Sequence, residues 1–98
     1  MELGKKLFEL KPEFVNEMPI ELDNNILYIS EEFGISIHLC ACGCGQKTVI
    51  DLKPRWKDGW SLMNNAGKIT IRPSIGNFSG ENPYHAHYFI TENRIDWL

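Results

Sequence analysis

All three cysteines of this 98-residue chain fall within five consecutive positions, as Cys40, Cys42 and Cys44. Three sulfur ligands at alternate positions are typical of a metal site, and a tetrahedral zinc needs neighbouring sulfurs about 3.8 Å apart. A straight strand would hold alternate side chains about 6.5–7 Å apart, so the backbone must curl around the ion. Gly43 and Gly45 allow this curl, because glycine enters positive φ without a steric penalty. We therefore expect a strand that ends in a zinc-binding loop.

Two other roles for the cysteines remain open at this stage. Buried thiols can act as small hydrophobic groups, but glycines add no packing, so this stretch would make a poor core segment. A redox-active or nucleophilic thiol would need an accessible thiolate of low pKa. A Cys-x-Cys disulfide would be strained and would leave one thiol over. The same thiol and imidazole ligands would also suit copper(I).

The fourth ligand of the expected site is predicted to be a histidine. The chain has His38, His85 and His87. His85 and His87 occupy alternate positions of a predicted strand, so both rings can lie on one face. Three cysteines and one histidine form a common closed structural zinc site. We predict His87 as the ligand, because Tyr88 and Ile90 can anchor its strand in the core; His85 is the second candidate and His38 the third.

The length and charge of the chain limit its class. It is long enough for one small domain over residues 1–98, with residues 1–12 as a candidate for a loosely attached arm. The net charge of −3 argues against non-specific binding to nucleic acid. No apolar run approaches the about 20 residues of a membrane helix. We expect no secretory signal, and clustered cysteines without one indicate the cytoplasm.

Short runs of β-branched and aromatic residues between turn signals predict a mostly β domain of antiparallel strands and hairpins, pinned by the zinc loop. Residues 65–67 and 92–93 are predicted turns, and residues 73–80, rich in proline and glycine, are predicted to form a loop. In the strand before the cysteines, Ser36 and His38 share the face that leads to the metal. The predicted strands cover residues 26–30, 35–39, 48–52, 60–64, 68–72, 88–91 and 94–97.

The order of motifs over residues 14–98 resembles that of a family of small, uncharacterised bacterial proteins. The resemblance implies zinc binding. It also implies genes that lie beside those for ubiquitin-like proteins and for their activating and conjugating enzymes, in systems linked to phage defence. The matching motifs are Phe14-Val15 with Pro19, Leu27-Tyr28-Ile29-Ser30, the segment from His38 to Gly45, Pro73-Ser74-Ile75-Gly76-Asn77, the segment from Pro83 to Ile90, and Arg94-Ile95-Asp96-Trp97.

The chain departs from the family pattern at Tyr84. The family usually has a cysteine there, three residues before the histidine that matches His87. Either the three cysteines act with His87, or His85 takes part instead, so the resemblance leaves the exact ligand set open.

The function expected from these observations is that of a non-catalytic structural-zinc domain. It would bind another protein, such as an enzyme of a ubiquitin-like conjugation pathway, and no catalytic residue is assigned. One alternative is a zinc hydrolase that processes ubiquitin-like proteins, since His85, His87 and Asp96 are similar to the ligand set of ubiquitin-removing metalloproteases. That reading lacks a glutamate base, and Asn93 stands where a serine is expected. The other alternative is a thiol-reactive protein.

Overall fold

The computed structural model describes residues 6–77 and 86–98, and the structural statements below refer to these ranges. Two of the predicted metal-site positions, Tyr84 and His85, lie outside them, as do residues 1–5 of the predicted arm. The described residues contain no helix, so none of them forms a helix that could cross a membrane. The prediction of a mostly β domain is confirmed. The strands are β1 (Lys11–Phe14), β2 (Ile26–Ser30), β3 (Ile35–Leu39), β4 (Lys47–Asp51), β5 (Ser61–Asn65), β6 (Lys68–Asn77), β7 (Ala86–Thr91) and β8 (Arg94–Trp97).

The strands form two four-stranded sheets in the orders β1-β2-β3-β4 and β5-β6-β7-β8. Every neighbouring pair is antiparallel except β1 and β2, which run parallel. Single bridges join the sheets at their edges: Leu52 pairs with Trp60 beyond β4, and Glu9 pairs with Arg94 of β8. The segment before β1 is also tied to the second sheet, because the Leu10 amide donates to the Asn93 carbonyl oxygen at 2.8 Å.

The two predicted hairpin turns are confirmed. Ala66 and Gly67 have φ of 54° and 87°, and Glu92 and Asn93 have φ of 47° and 70°. Two successive residues at positive φ match the right-handed twist of the strands they connect. Asn93 further joins its turn to β6, because its side-chain oxygen accepts from the Ile69 amide at 2.7 Å.

The core lies between the two sheets and is built mainly from isoleucine, leucine and Tyr88. β3 presents its polar face to this interior: Ser36 and His38 are fully buried there, and Ser36 lies opposite Ile29 and Ile50. Ile37 faces the other side, where it lines a surface pocket of about 240 Å³. The face of β3 that carries Ser36 and His38 continues into the cysteine loop, as expected. This polar face is the buried, inner face of the sheet.

The predicted loop at residues 73–80 is wrong for its first half. Pro73 to Asn77 continue β6, and residues 78–80 lie outside the described ranges. The pairing of β6 with β7 shifts register between Ile71 and Ile75. A bulge of this kind tolerates a proline, which lacks the amide that a regular ladder requires. The breaker residues therefore mark an irregular stretch within a strand and not its end.

Candidate functional site

The cysteine loop, residues 40–45, connects β3 to β4 and curls as the sequence predicts. Gly43 and Gly45 have φ of 86° and 85°. The Cys40 amide donates to the Gln46 carbonyl oxygen at 2.7 Å, and the Gly43 amide donates to the Cys40 carbonyl oxygen at 3.0 Å. These two bonds close the loop on itself, so the alternating thiols can converge.

The three sulfur atoms lie within 4.8 Å of one another, and those of Cys40 and Cys42 are 3.3 Å apart. This spacing suits a tetrahedral zinc, whose sulfur ligands lie about 3.8 Å from each other. Among the described residues, the group of potential ligand atoms contains no histidine nitrogen. The structure thus gathers the three predicted cysteines but places neither His38 nor His87 with them. The fourth ligand stays a prediction.

The protein environment shifts the thiol pKa values of Cys42 and Cys44 in opposite directions. Burial, together with hydrogen bonds to the neighbouring thiols, raises the pKa of Cys42 to about 12. Burial would also raise the pKa of Cys44, but a hydrogen bond to the Gln46 backbone and bonds to the other thiols lower it overall. Of these two thiols, Cys44 therefore loses its proton more readily, and a bound cation would favour the thiolate form of both.

The hydroxyl of Tyr88, a fully buried residue, ties the cysteine loop to the second sheet. It accepts hydrogen bonds from the Asn77 side-chain amide at 3.2 Å and from the Ala41 backbone amide at 3.4 Å. It also lies 2.7 Å from Nε2 of His38, so the remaining hydroxyl proton is directed at that nitrogen. One phenolic oxygen thus connects β3, the cysteine loop, β6 and β7.

The two rings of this network are uncharged at neutral pH. Burial lowers the pKa of His38 to about 4 and raises the pKa of Tyr88 above its usual range. With Nε2 accepting, Nδ1 of His38 carries the proton, and it has no hydrogen-bond partner among the described residues. His38 therefore belongs to a buried polar network beside the cysteines.

A serine and a histidine meet on the opposite, outer face of the second sheet. The Ser74 Oγ atom lies 2.9 Å from Nε2 of His87. Ile75 pairs with Tyr88, and both side chains are buried in the core. Because alternate residues of a strand face opposite sides, Ser74 and His87 point outward together.

Three contacts hold the backbone around this pair. The Trp60 indole donates to the Ser74 carbonyl oxygen at 3.2 Å, and the Leu98 amide donates to the His87 carbonyl oxygen at 3.0 Å. Arg72 joins β6 to β7 at one end of the register shift, because its guanidinium donates to the Ile71 carbonyl at 3.0 Å and to the Ile90 carbonyl at 3.1 Å. Bulges commonly redirect a side chain next to an active site, and this one places Ser74 beside His87.

A hydroxyl bonded to an imidazole nitrogen is the arrangement of a nucleophile and its general base. Sequence reasoning did not identify Ser74 as functional, because it lies in a stretch predicted to be a loop. The signal that could have found the pair is the presence of Ser74 and His87 in two of the motifs that carry the family resemblance.

Comparison with known proteins gives one match. The model of a family described as bacterial ubiquitination-like system serine protease (BubE) matches residues 14–98. No curated protein and no solved structure matches the chain. The match covers the cysteine loop, Ser74 and His87, and it confirms the association with ubiquitin-like conjugation that the sequence motifs implied.

Proposed function

Because the chain belongs to the BubE family, we propose that it is a serine peptidase of a bacterial ubiquitination-like system, with Ser74 as the nucleophile and His87 as the general base. The observation that carries this proposal is the 2.9 Å contact between Ser74 Oγ and His87 Nε2 on the outer face of the second sheet. Both side chains are half-buried, so a substrate can approach them from solvent.

The reaction would follow the acyl-enzyme route. Ser74 Oγ attacks the carbonyl carbon of the substrate while its proton passes to Nε2 of His87. The imidazolium then donates that proton to the leaving amine as the bond to nitrogen breaks. Water, deprotonated by the same nitrogen, releases the acyl group and regenerates the serine. The buried pairing of Ile75 with Tyr88 supports this proposal, because it fixes the two strands that carry the reacting side chains.

We propose that Cys40, Cys42 and Cys44 hold a structural zinc ion. The convergence of their sulfurs within 4.8 Å supports this role. When bound, zinc would cross-link the loop and add folding free energy to a small domain. Since His87 Nε2 contacts Ser74, we propose that the second candidate from the sequence, His85, completes the ligand set.

The test is active-site labelling with a fluorophosphonate probe, followed by mass spectrometry. Labelling is expected at Ser74 in the zinc-loaded protein. Ser74→Ala should lose labelling, and its cleavage of a ubiquitin-like protein from such a system should fall by about 10³-fold or more. Ser61→Ala, a change at the edge strand of the same sheet, serves as the control and should behave as the wild type. A folded wild-type protein that neither reacts nor cleaves would refute the proposal.

The second candidate function is a non-catalytic accessory module that binds an enzyme of the pathway. Large apolar side chains exposed on the surface favour it: Ile20 is fully exposed, and Phe33 is 48% exposed. Under this function, Ser74→Ala would leave conjugation in a reconstituted pathway unchanged, whereas Ile20→Asp or Phe33→Asp would weaken it. A zinc hydrolase has less support, because Asp96 and His87 are not among the grouped ligand atoms.

A further inference from the structure

Gly76 has no conformational reason to be glycine. It lies in β6, directly opposite His87, and it is not among the glycines with positive φ. Any L-residue can adopt such a strand conformation, and glycine in a strand interior weakens packing. A glycine at such a position commonly marks a place where a ligand or another backbone approaches closely. The presence of glycine at position 76 is therefore better explained by close approach of another group than by backbone conformation.

The hydrogen bonds of the neighbouring strands fix the orientation of this residue. The His87 carbonyl accepts from the Leu98 amide, so the peptide groups of His87 face β8 and not β6. Gly76 and His87 are thus a non-hydrogen-bonded pair, in which Cα atoms lie about 4.5 Å apart and side chains come closest. The Gly76 amide and carbonyl consequently point away from β7. On that side the pairing of β5 ends at Ser61 opposite Arg72, before Gly76 is reached.

Gly76 also shares a face with the reacting side chains. It is two residues beyond Ser74 and opposite His87, so its missing side chain would project from the outer face. A Cβ atom there would occupy the space beside the Ser74–His87 contact. The Trp60 indole already holds the Ser74 carbonyl from the strand edge. Position 76 therefore borders the Ser74–His87 contact on the outer face of the sheet.

We infer that Gly76 forms the floor of the acyl-binding site and determines how large an acyl group can reach Ser74. The inference rests on the proposed serine-peptidase function and deepens it. The peptide backbone on the carbonyl side of the cleaved bond crosses the outer face of β6 over Gly76. It lies against the backbone of Gly76, where a larger residue would place a side chain in its path.

The experiment compares Gly76→Val and Gly76→Ala with the wild type, using a large and a small acylating partner. Valine is favoured in strands, so the substitution should keep the fold. We expect Gly76→Val to lower kcat/KM for the peptide substrate by about 100-fold, the scale of a misplaced reacting group. Methanesulfonyl fluoride, which is small enough to avoid position 76, should label Ser74 at the wild-type rate in both variants. Met63→Ala, an exposed change on the same sheet, is the control.

Two outcomes would overturn the inference alone. The first is cleavage of peptide by Gly76→Val at the wild-type rate. The second is loss of labelling by methanesulfonyl fluoride together with loss of cleavage, which would indicate a displaced serine. Absence of labelling in the folded wild-type protein would instead overturn the proposed function and this inference with it.

Discussion

Removing a single oxygen atom from Tyr88 should measure how strongly the cysteine loop is held to β6 and β7. Tyr88→Phe keeps the ring, which packs edge-on against Trp97 at a centroid distance of 5.1 Å. It removes the hydroxyl that forms hydrogen bonds with His38, Asn77 and Ala41. The variant therefore tests the polar network without emptying the core.

The expected loss follows from the groups left without partners. A buried donor or acceptor without a partner destabilises a fold by about 1–3 kcal/mol. The bond to His38 is short at 2.7 Å, and the bond to Asn77 is 3.2 Å long. The bond to Ala41, at 3.4 Å, is the longest and contributes least. We expect Tyr88→Phe to lower the free energy of unfolding by about 2–4 kcal/mol. For a domain of this size, that corresponds to a fall in Tm of about 10–20 °C.

The assay is urea unfolding of the zinc-loaded protein, followed by tryptophan fluorescence. The matched control is Tyr28→Phe, because Tyr28 is also buried, but its hydroxyl accepts a single hydrogen bond among the described residues, from the Asp23 amide at 3.1 Å near the surface. That variant should lose about 0.5–1.5 kcal/mol. Equal losses for the two variants would refute the reasoning, since they would show that the Tyr88 network contributes no more than one ordinary surface bond.

Two further predictions concern the metal and the histidine. We expect about one zinc ion per chain by elemental analysis. Cys42→Ser or Cys44→Ser should unfold or strongly destabilise the domain, because a structural metal site contributes folding free energy that so short a chain cannot replace. Unchanged melting temperatures of these variants, with and without chelator, would contradict this prediction. His87→Ala should keep zinc against a chromogenic chelator but lose labelling of Ser74, because Nε2 of His87 contacts the serine. Release of zinc by His87→Ala, with retention by His85→Ala, would instead support His87 as the zinc ligand, as predicted from the sequence.

Local patterns predicted both turns and, at least in part, seven of the eight described strands; β1 was not predicted. Alternation of apolar and polar residues identified most strands, and the turn signals at residues 65–67 and 92–93 were correct. The convergence of the cysteines was also predictable, because their spacing and the two glycines determine the shape of one short loop. These features depend on residues that are close in sequence.

The contact between Ser74 and His87 was not predictable in this way, because it depends on the register between β6 and β7. The stretch from Pro73 to Asn77 has the composition of a loop, and only the bulge allows it to remain in the sheet. Without that register, nothing in the sequence places Ser74 beside His87. The burial of the polar face of β3 was missed for a similar reason: Nε2 of His38 has its hydrogen-bond partner in the interior on Tyr88, a residue fifty positions away.

The two sites of this chain are mechanically linked through the strands they share. Tyr88 directs its hydroxyl to the cysteine loop, and the residue before it, His87, directs its ring to Ser74 on the outer face. Asn77 bonds to the same hydroxyl three residues after the serine. Loosening the cysteine loop should therefore disturb the register that holds the Ser74–His87 contact. Under the proposed serine mechanism, loss of activity on removing zinc would follow from this connection, without a role for the ion in the reaction. Chelation alone therefore cannot distinguish a zinc hydrolase from a serine peptidase, whereas the chemical labelling of Ser74 can.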